Sequence, residues 1–227
     1  MNLSGEPAYI STITGVREVA LAGTADLAYW RERLRGEGLA LLDEAGRASL
    51  LLTAIEAKFR GIPFRELSIS VLLEDGGVFL AHAFNSSRLL AFAERAFFQT
   101  PYHLARLDVD EQLPARMGVA RGGRDLFVAR MGSGRPPARR EDAVFDGPIY
   151  LPGGMKVFFA RLSGAAGIFP FEAVDTVTLT PDSTESIFRR LVESGFAGEE
   201  WRVRSGAVHA RTKTYNRVNR KDNNPGN

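Results

Sequence analysis

The chain has 227 residues, 44% hydrophobic and 25% charged, with a formal net charge of +2. That length suits one sizeable domain with a real core, and so small a net charge gives no argument for a nucleic-acid partner. No cysteine is present, which excludes disulfides, thiolate nucleophiles and cysteine metal sites, and no apolar run approaches the ~20 residues needed to span a bilayer. Lysine occurs only at Lys58, Lys156, Lys213 and Lys221, so a lysine-dependent mechanism has few candidates.

In chain order, the opening stretch MNLSGEPAYIS lacks the basic and apolar regions of a signal peptide, and a cytoplasmic protein is expected. GTADLAYWRERLRGEG predicts an amphipathic helix near residues 24–35, with Thr24 as its cap and Gly36 as its stop. LALLDEAGRASLLLTAIEAKF predicts two strands joined by a turn at Asp43 to Gly46, and FRELSISVLLEDGGVFLAHAF repeats the form around EDGG. NSSRLLAFAERAFFQ predicts a helix near 86–98 with Asn85 or Ser86 as its cap, ended by Thr100 and Pro101. A new strand is expected at Tyr102.

RMGVARGGRDLFVARMG predicts a hairpin, and MKVFFARL, VDTVTLT and EEWRVRSGAVHARTKTY predict further strands. GSGRPPARRED between them is expected to be an exposed, mobile loop. DSTESIFRRLVESG predicts a last helix near 183–194, capped by Asp182 or Ser183, with Glu185 near the capping-box position. Residues 1–215 are expected to form one domain, and the polar segment 216–227 a disordered tail. Strands outnumber helices, which points to a mainly β α+β protein built on a closed or nearly closed antiparallel barrel with a few flanking helices.

Several residues could carry chemistry. In FRELSISV the period of two puts Phe64, Glu66, Ser68 and Ser70 on one face and Arg65, Leu67, Ile69 and Val71 on the other, apolar face. Glu66 therefore sits either on a solvated exterior or on the polar lining of a cavity, where desolvation would favour its neutral form and poise it for proton transfer. In PYHLAR, alternation puts Tyr102, Leu104 and Arg106 on one face and His103 on the other. Arg106 could hold a carboxylate with its planar fork, or be an ordinary solvated arginine. His209, Arg211 and Lys213 form a basic row, read first as barrel exterior or subunit contact and second as an anion site. The histidines His82, His103 and His209 have no ligand spacing, and there is neither G-x-G-x-x-G nor a P-loop. No metal and no organic cofactor is expected.

The order of parts, with FRELSISV at Phe64 to Val71 and PYHLAR at Pro101 to Arg106, resembles the acetoacetate decarboxylase-like superfamily, in an uncharacterised bacterial branch. The resemblance covers most of the chain. It implies a cone-shaped β-barrel with a buried active site, usually within a homo-oligomer. The decarboxylases place a lysine pair after this proline, the first forming a Schiff base; Tyr102 and His103 stand there instead, and neither can form an iminium. Their strand carboxylate is matched by Glu66, and their second glutamate falls in the apolar run SLLLTAI. The resemblance thus implies Glu66, Tyr102 and His103 as catalytic candidates and Phe64, Ser68 and Arg106 as substrate contacts. The expected function is acid–base, enolate-type chemistry on a small carbonyl or carboxylate metabolite, such as isomerisation, dehydration or cyclisation, without the Schiff-base lysine. The alternative is a barrel that binds a small molecule without turnover. A small molecule is the expected partner, with neither nucleic acid nor membrane.

Overall fold

The structure is a computed structural model that describes residues 7–142, 144–180 and 186–217. The first half contains β1 (Tyr9–Asp26), α1 (Leu27–Arg33), β2 (Asp43–Glu44), β3 (Arg47–Phe59), β4 (Ile62–Leu72), β5 (Val78–Asn85), α2 (Arg88–Ala93), β6 (Tyr102–Leu104) and β7 (Arg106–Asp110). The second contains β8 (Arg116–Arg121), β9 (Arg124–Arg130), β10 (Arg139–Asp142), β11 (Phe145–Tyr150), β12 (Lys156–Ser163), β13 (Ala165–Pro170), β14 (Thr176–Leu179), α3 (Ser186–Glu193), β15 (Ala197–Thr212) and β16 (Tyr215–Asn216).

Seven strands, in the order β1, β3, β4, β5, β11, β12, β15, close into a barrel because β12 pairs with β15 and β15 with β1. The expected mainly β barrel is present. It is mixed rather than wholly antiparallel, since β5 and β11 run parallel. A separate sheet of β14, β9, β8 and β7 packs beside it.

The hairpins form where the turn chemistry is strongest. Between β2 and β3, Ala45 and Gly46 both take positive φ, as the tightest hairpin turns require, and Asp43 Oδ1 accepts from Gly46 N at 2.8 Å. In EDGG, Asp75 Oδ1 accepts from Gly77 N at 3.0 Å. α1 and α2 are shorter than their apolar periods predict, and their caps move. Asp26, not Thr24, caps α1 by accepting from Tyr29 N at 2.6 Å, while Thr24 belongs to β1. Ser87 caps α2, and Asn85 Oδ1 instead accepts from Ser87 N at 2.8 Å. The proposed cap of α3 lies outside the described residues.

Two further expectations are corrected. GSGRPPARRED is not simply a free loop: Arg139 to Asp142 pair with β13, and Arg135 is anchored on Asp175 at 2.7 Å. In the tail, Asn216 pairs with Lys156 and Arg217 donates to the Glu37 carbonyl at 2.8 Å; residues 218–227 lie outside the described residues.

The main apolar core lies outside the barrel, between its wall and the second sheet and α3. Phe84 of β5 stacks on Phe188 of α3, which stacks on Phe127 of β9, at 5.6 and 6.0 Å. Leu67, Ile69 and Val71 of β4 belong to this core, so the opposite face of β4, with Phe64, Glu66, Ser68 and Ser70, points into the barrel. Among the described residues no helix is long and apolar enough to cross a membrane.

Candidate functional site in the barrel lumen

Directly opposed residues of paired strands share a face, so the register maps the lumen wall. Glu66 opposes Ile55, which opposes Glu18, which opposes Arg204. Ser68 opposes Ala83, which opposes Tyr102. Across β12, Ala160 opposes Arg211 and Leu162 opposes His209. Two apolar groups bracket these polar side chains: Leu80, Ala83, Tyr102, Phe158 and Ala160 on one side, and Val16, Ile55, Phe64 and Ala207 on the other. α2 lies over both, placing Ala91 against the first and Leu90 against the second.

Glu66 is surrounded by protein, yet part of its side chain remains accessible, as expected of a group on the wall of an internal space. Burial pushes its carboxyl up to about 7; a hydrogen bond from Tyr102 and the charges of His209 and Arg211 pull down, and the Glu94 carboxylate pushes further up. The Tyr102 hydroxyl is buried, lies beside the Glu66 and Glu94 charges and donates to Glu66, all of which hold its pKa well above the ordinary phenol value. Pro101 starts this arrangement: Tyr102 N donates to the Thr100 carbonyl at 2.8 Å, and three residues of β6 then run beside β5.

Glu94 was not anticipated from the sequence. After α2 the chain widens into a five-residue π turn, Glu94 to Phe98, ended by Gln99 in the left-handed region at φ 57°. Such widened turns re-aim side chains relative to an ordinary helix. Here Glu94 accepts from Thr100 Oγ1 at 2.8 Å and from Arg211 Nη1 at 2.7 and 2.8 Å. The Arg211 guanidinium lies between the rings of Phe98 and Phe158, 4.4 and 4.3 Å from their centroids. On the neighbouring row, Glu18 is ion-paired with Arg204, and His209 Nε2 lies 3.0 Å from Glu18 Oε2. Burial would raise the Glu18 pKa, but its bond with His209 and the Arg204 charge outweigh this and hold it below the usual range.

Phe64, Glu66 and Ser68 thus share one face, as the alternation predicts, and that face and Tyr102 line the lumen, the placement the resemblance implies. Arg106 does not. The chain leaves the barrel at Ala105, and Arg106 begins β7 of the second sheet, where it is exposed beside an outer groove of about 290 Å³ with Arg65, Asp108 and Arg116. His103 faces away from the lumen and stacks on His82, ring centroids 4.5 Å apart. The basic row also divides: His209 and Arg211 face inward rather than lying on the exterior, while Lys213 is exposed against the Tyr215 ring. Lys58 is exposed and Lys156 donates to Asn216 at 2.5 Å. Among the described residues no three acidic or histidine side chains are arranged to hold a metal.

Comparison with known structures identifies the fold. An acetoacetate decarboxylase-like enzyme from Sphingomonas wittichii RW1 matches with a TM-score of 0.63 at 14% identity, over 96% of this chain and 98% of that one. This chain has the acetoacetate decarboxylase-like fold. The acetoacetate decarboxylase of Legionella pneumophila matches with a TM-score of 0.63 at 14% identity, over 95% and 93% of the two chains. The enduracididine biosynthesis enzyme MppR, complexed with the condensation product of pyruvate and imidazole 4-carboxaldehyde, matches with a TM-score of 0.60 at 12% identity, over 95% and 91%. No family model matches the chain, and no curated protein sequence does.

Proposed function

We propose that this protein is an enzyme that moves protons on a small carbonyl or carboxylate metabolite through an enol or enolate, as in isomerisation, dehydration or cyclisation, without a Schiff-base lysine. The observation that carries this reading is Glu66: a carboxyl inside the barrel, raised to about 7 and bonded to a tyrosine hydroxyl. A base poised near neutral pH is present in its active form at working pH and still binds the abstracted proton strongly. The fold neighbours that are enzymes, one of them seen with a pyruvate-derived condensation product, support a carbonyl compound as the ligand class.

In this reading the Glu66 carboxylate takes the proton from the carbon beside the carbonyl, and the electron pair moves onto the carbonyl oxygen. Tyr102, kept neutral by its raised pKa, donates a hydrogen bond to that oxygen as negative charge develops. When Tyr102 turns from Glu66 to the substrate, Glu66 loses the bond that lowers its pKa and becomes a stronger base.

The test is exchange of substrate carbon-bound hydrogen with D2O, followed by NMR for a panel of 2-oxo and 3-oxo carboxylic acids. Glu66→Gln should lower the exchange rate by ~10²-fold or more, and Tyr102→Phe by a smaller factor, with the fold intact. Catalysed exchange that is unchanged in both variants would overturn the reading.

A further inference from the structure

The row that carries Glu66 ends on a second pair of titratable groups. Adjacent strands lie about 4.8 Å apart, so Glu66 and Glu18, separated by β3, have backbones roughly 10 Å apart along the wall. Glu18 is only 2% exposed. Its charge is already balanced by Arg204, which makes His209 unnecessary for neutralisation. His209 nonetheless reaches back along the inner face of β15 to Glu18, at 3.0 Å, and its side chain keeps 17% of its surface accessible.

We propose that His209, oriented by Glu18, is a second proton-transfer residue of the lumen, working from β15 while Glu66 works from β4. An ionised carboxylate only accepts, so Nε2 of His209 carries the hydrogen towards Glu18, and Nδ1 is the exchanging nitrogen. Two carboxylates on other strands face the ring, Glu18 of β1 and Glu66 of β4; Tyr102 of β6 and Glu94 of the π turn lie beside Glu66 and Arg211. Arg204 and Arg211 share β15 with it. The Glu66 carboxyl feels the His209 charge directly.

This inference rests on the enolate reading. As Glu66 breaks the C–H bond, that electron pair forms the C=C bond and the carbonyl π pair moves onto oxygen. The His209 imidazolium then gives its Nδ1 proton to that oxygen, leaving a neutral enol and a neutral imidazole. The reverse transfers restore both groups, and no other reactant is needed. Glu18, which touches only His209 and Arg204 among these groups, is a positioning residue.

The experiment uses the same D2O exchange with pyruvate and acetoacetate as probes, over a range of pH. His209→Gln should lower the maximal rate by ~10²-fold or more with KM little changed, and should remove the limb of the pH profile set by the imidazole. His209→Ala should recover part of the rate on addition of imidazole. If His209→Gln keeps the rate and profile while Glu66→Gln abolishes exchange, this inference falls and the enolate reading stands. If the unsubstituted protein exchanges neither probe, both fall. Should the variants lose their native circular dichroism, the ¹⁵N imidazole spectrum of the unsubstituted protein decides: the Nε2–H tautomer is expected, and Nδ1–H would overturn the assignment.

Discussion

Glu66 shows how far one side chain's behaviour follows from its surroundings. Its carboxyl rises from 4.5 to about 7 on folding, so between those values the folded state holds the proton more tightly than the unfolded state. Stability contributed by this group is therefore full below about pH 4.5 and falls as pH rises to 7, by about 3 kcal/mol in all. Glu66→Gln keeps an acceptor for Tyr102 and removes the ionisation. Urea unfolding should find the variant more stable than its parent at pH 8 and no more stable at pH 4; equal stabilities at both pH values would contradict the assigned environment. Alternation put Glu66 on the polar face of its strand, and the family resemblance, rather than any pattern in the short β6, pointed both Glu66 and Tyr102 into a cavity. Arg106 was misplaced because alternation does not carry across the break at Ala105. Arg211 and His209 were read as exterior because a charged lumen wall and a charged surface have the same pattern.

Among the elements, the hairpins were legible and β1 was not singled out, although it is the longest strand. Its inward face mixes Val16, Glu18 and Ala20, so it has no clean contrast between an apolar and a polar side. The π turn was read as continuing helix, since one widened turn scarcely disturbs an apolar period, and Glu94 was missed with it. The segment between β9 and β10 was read as loose because of its Gly, Pro and Arg content, yet Asp175 gathers it in. Asp175 accepts from Gly132 N at 2.8 Å, Glu172 N at 3.0 Å, Trp201 Nε1 at 3.1 Å and both terminal nitrogens of Arg135. Burial acts to raise its pKa, but these donors, Arg135 foremost, hold it down at about 2. Its contribution is present above pH 3.8 and lost as pH falls towards 2. Asp175→Ala leaves the Trp201 indole without its acceptor and the Arg135 guanidinium with only the Pro170 carbonyl and Glu172, and should cost about 3 kcal/mol in thermal or urea unfolding, with the loss largest near neutral pH. A loss under about 1 kcal/mol would show that the knot is incidental.

At the scale of the whole molecule, the barrel is turned out relative to a simple globule: its outer wall carries the main apolar core, and its lumen holds Glu18, Glu66 and the charges that face them. The fold class was legible from the count of strands and turns. The sidedness was not, because it depends on a second sheet, β7 to β9 with β14, whose docking against the wall leaves no local signature. Closure is also uneven. β1 and β15 pair along nearly their whole length, whereas β12 meets β15 over four residues, Ala160 to Ser163 against Val208 to Arg211. Amide hydrogens along that seam should exchange with deuterium faster than those between β1 and β15, as mass spectrometry of the peptides would resolve; equal protection of the two ladders would contradict this.

The Arg211 clamp between Phe98 and Phe158 lies on this same seam. It joins β15 to β12 through Phe158 and to the π turn through Phe98 and Glu94, so it acts as a latch across a stretch where the backbone ladder is short. A chain that gained activity by replacing Arg211 would also lose the latch that keeps its container shut. Changes of specificity at this position are therefore tied to how often the barrel breathes, and a compensating contact across the seam is the substitution that would have to come with them.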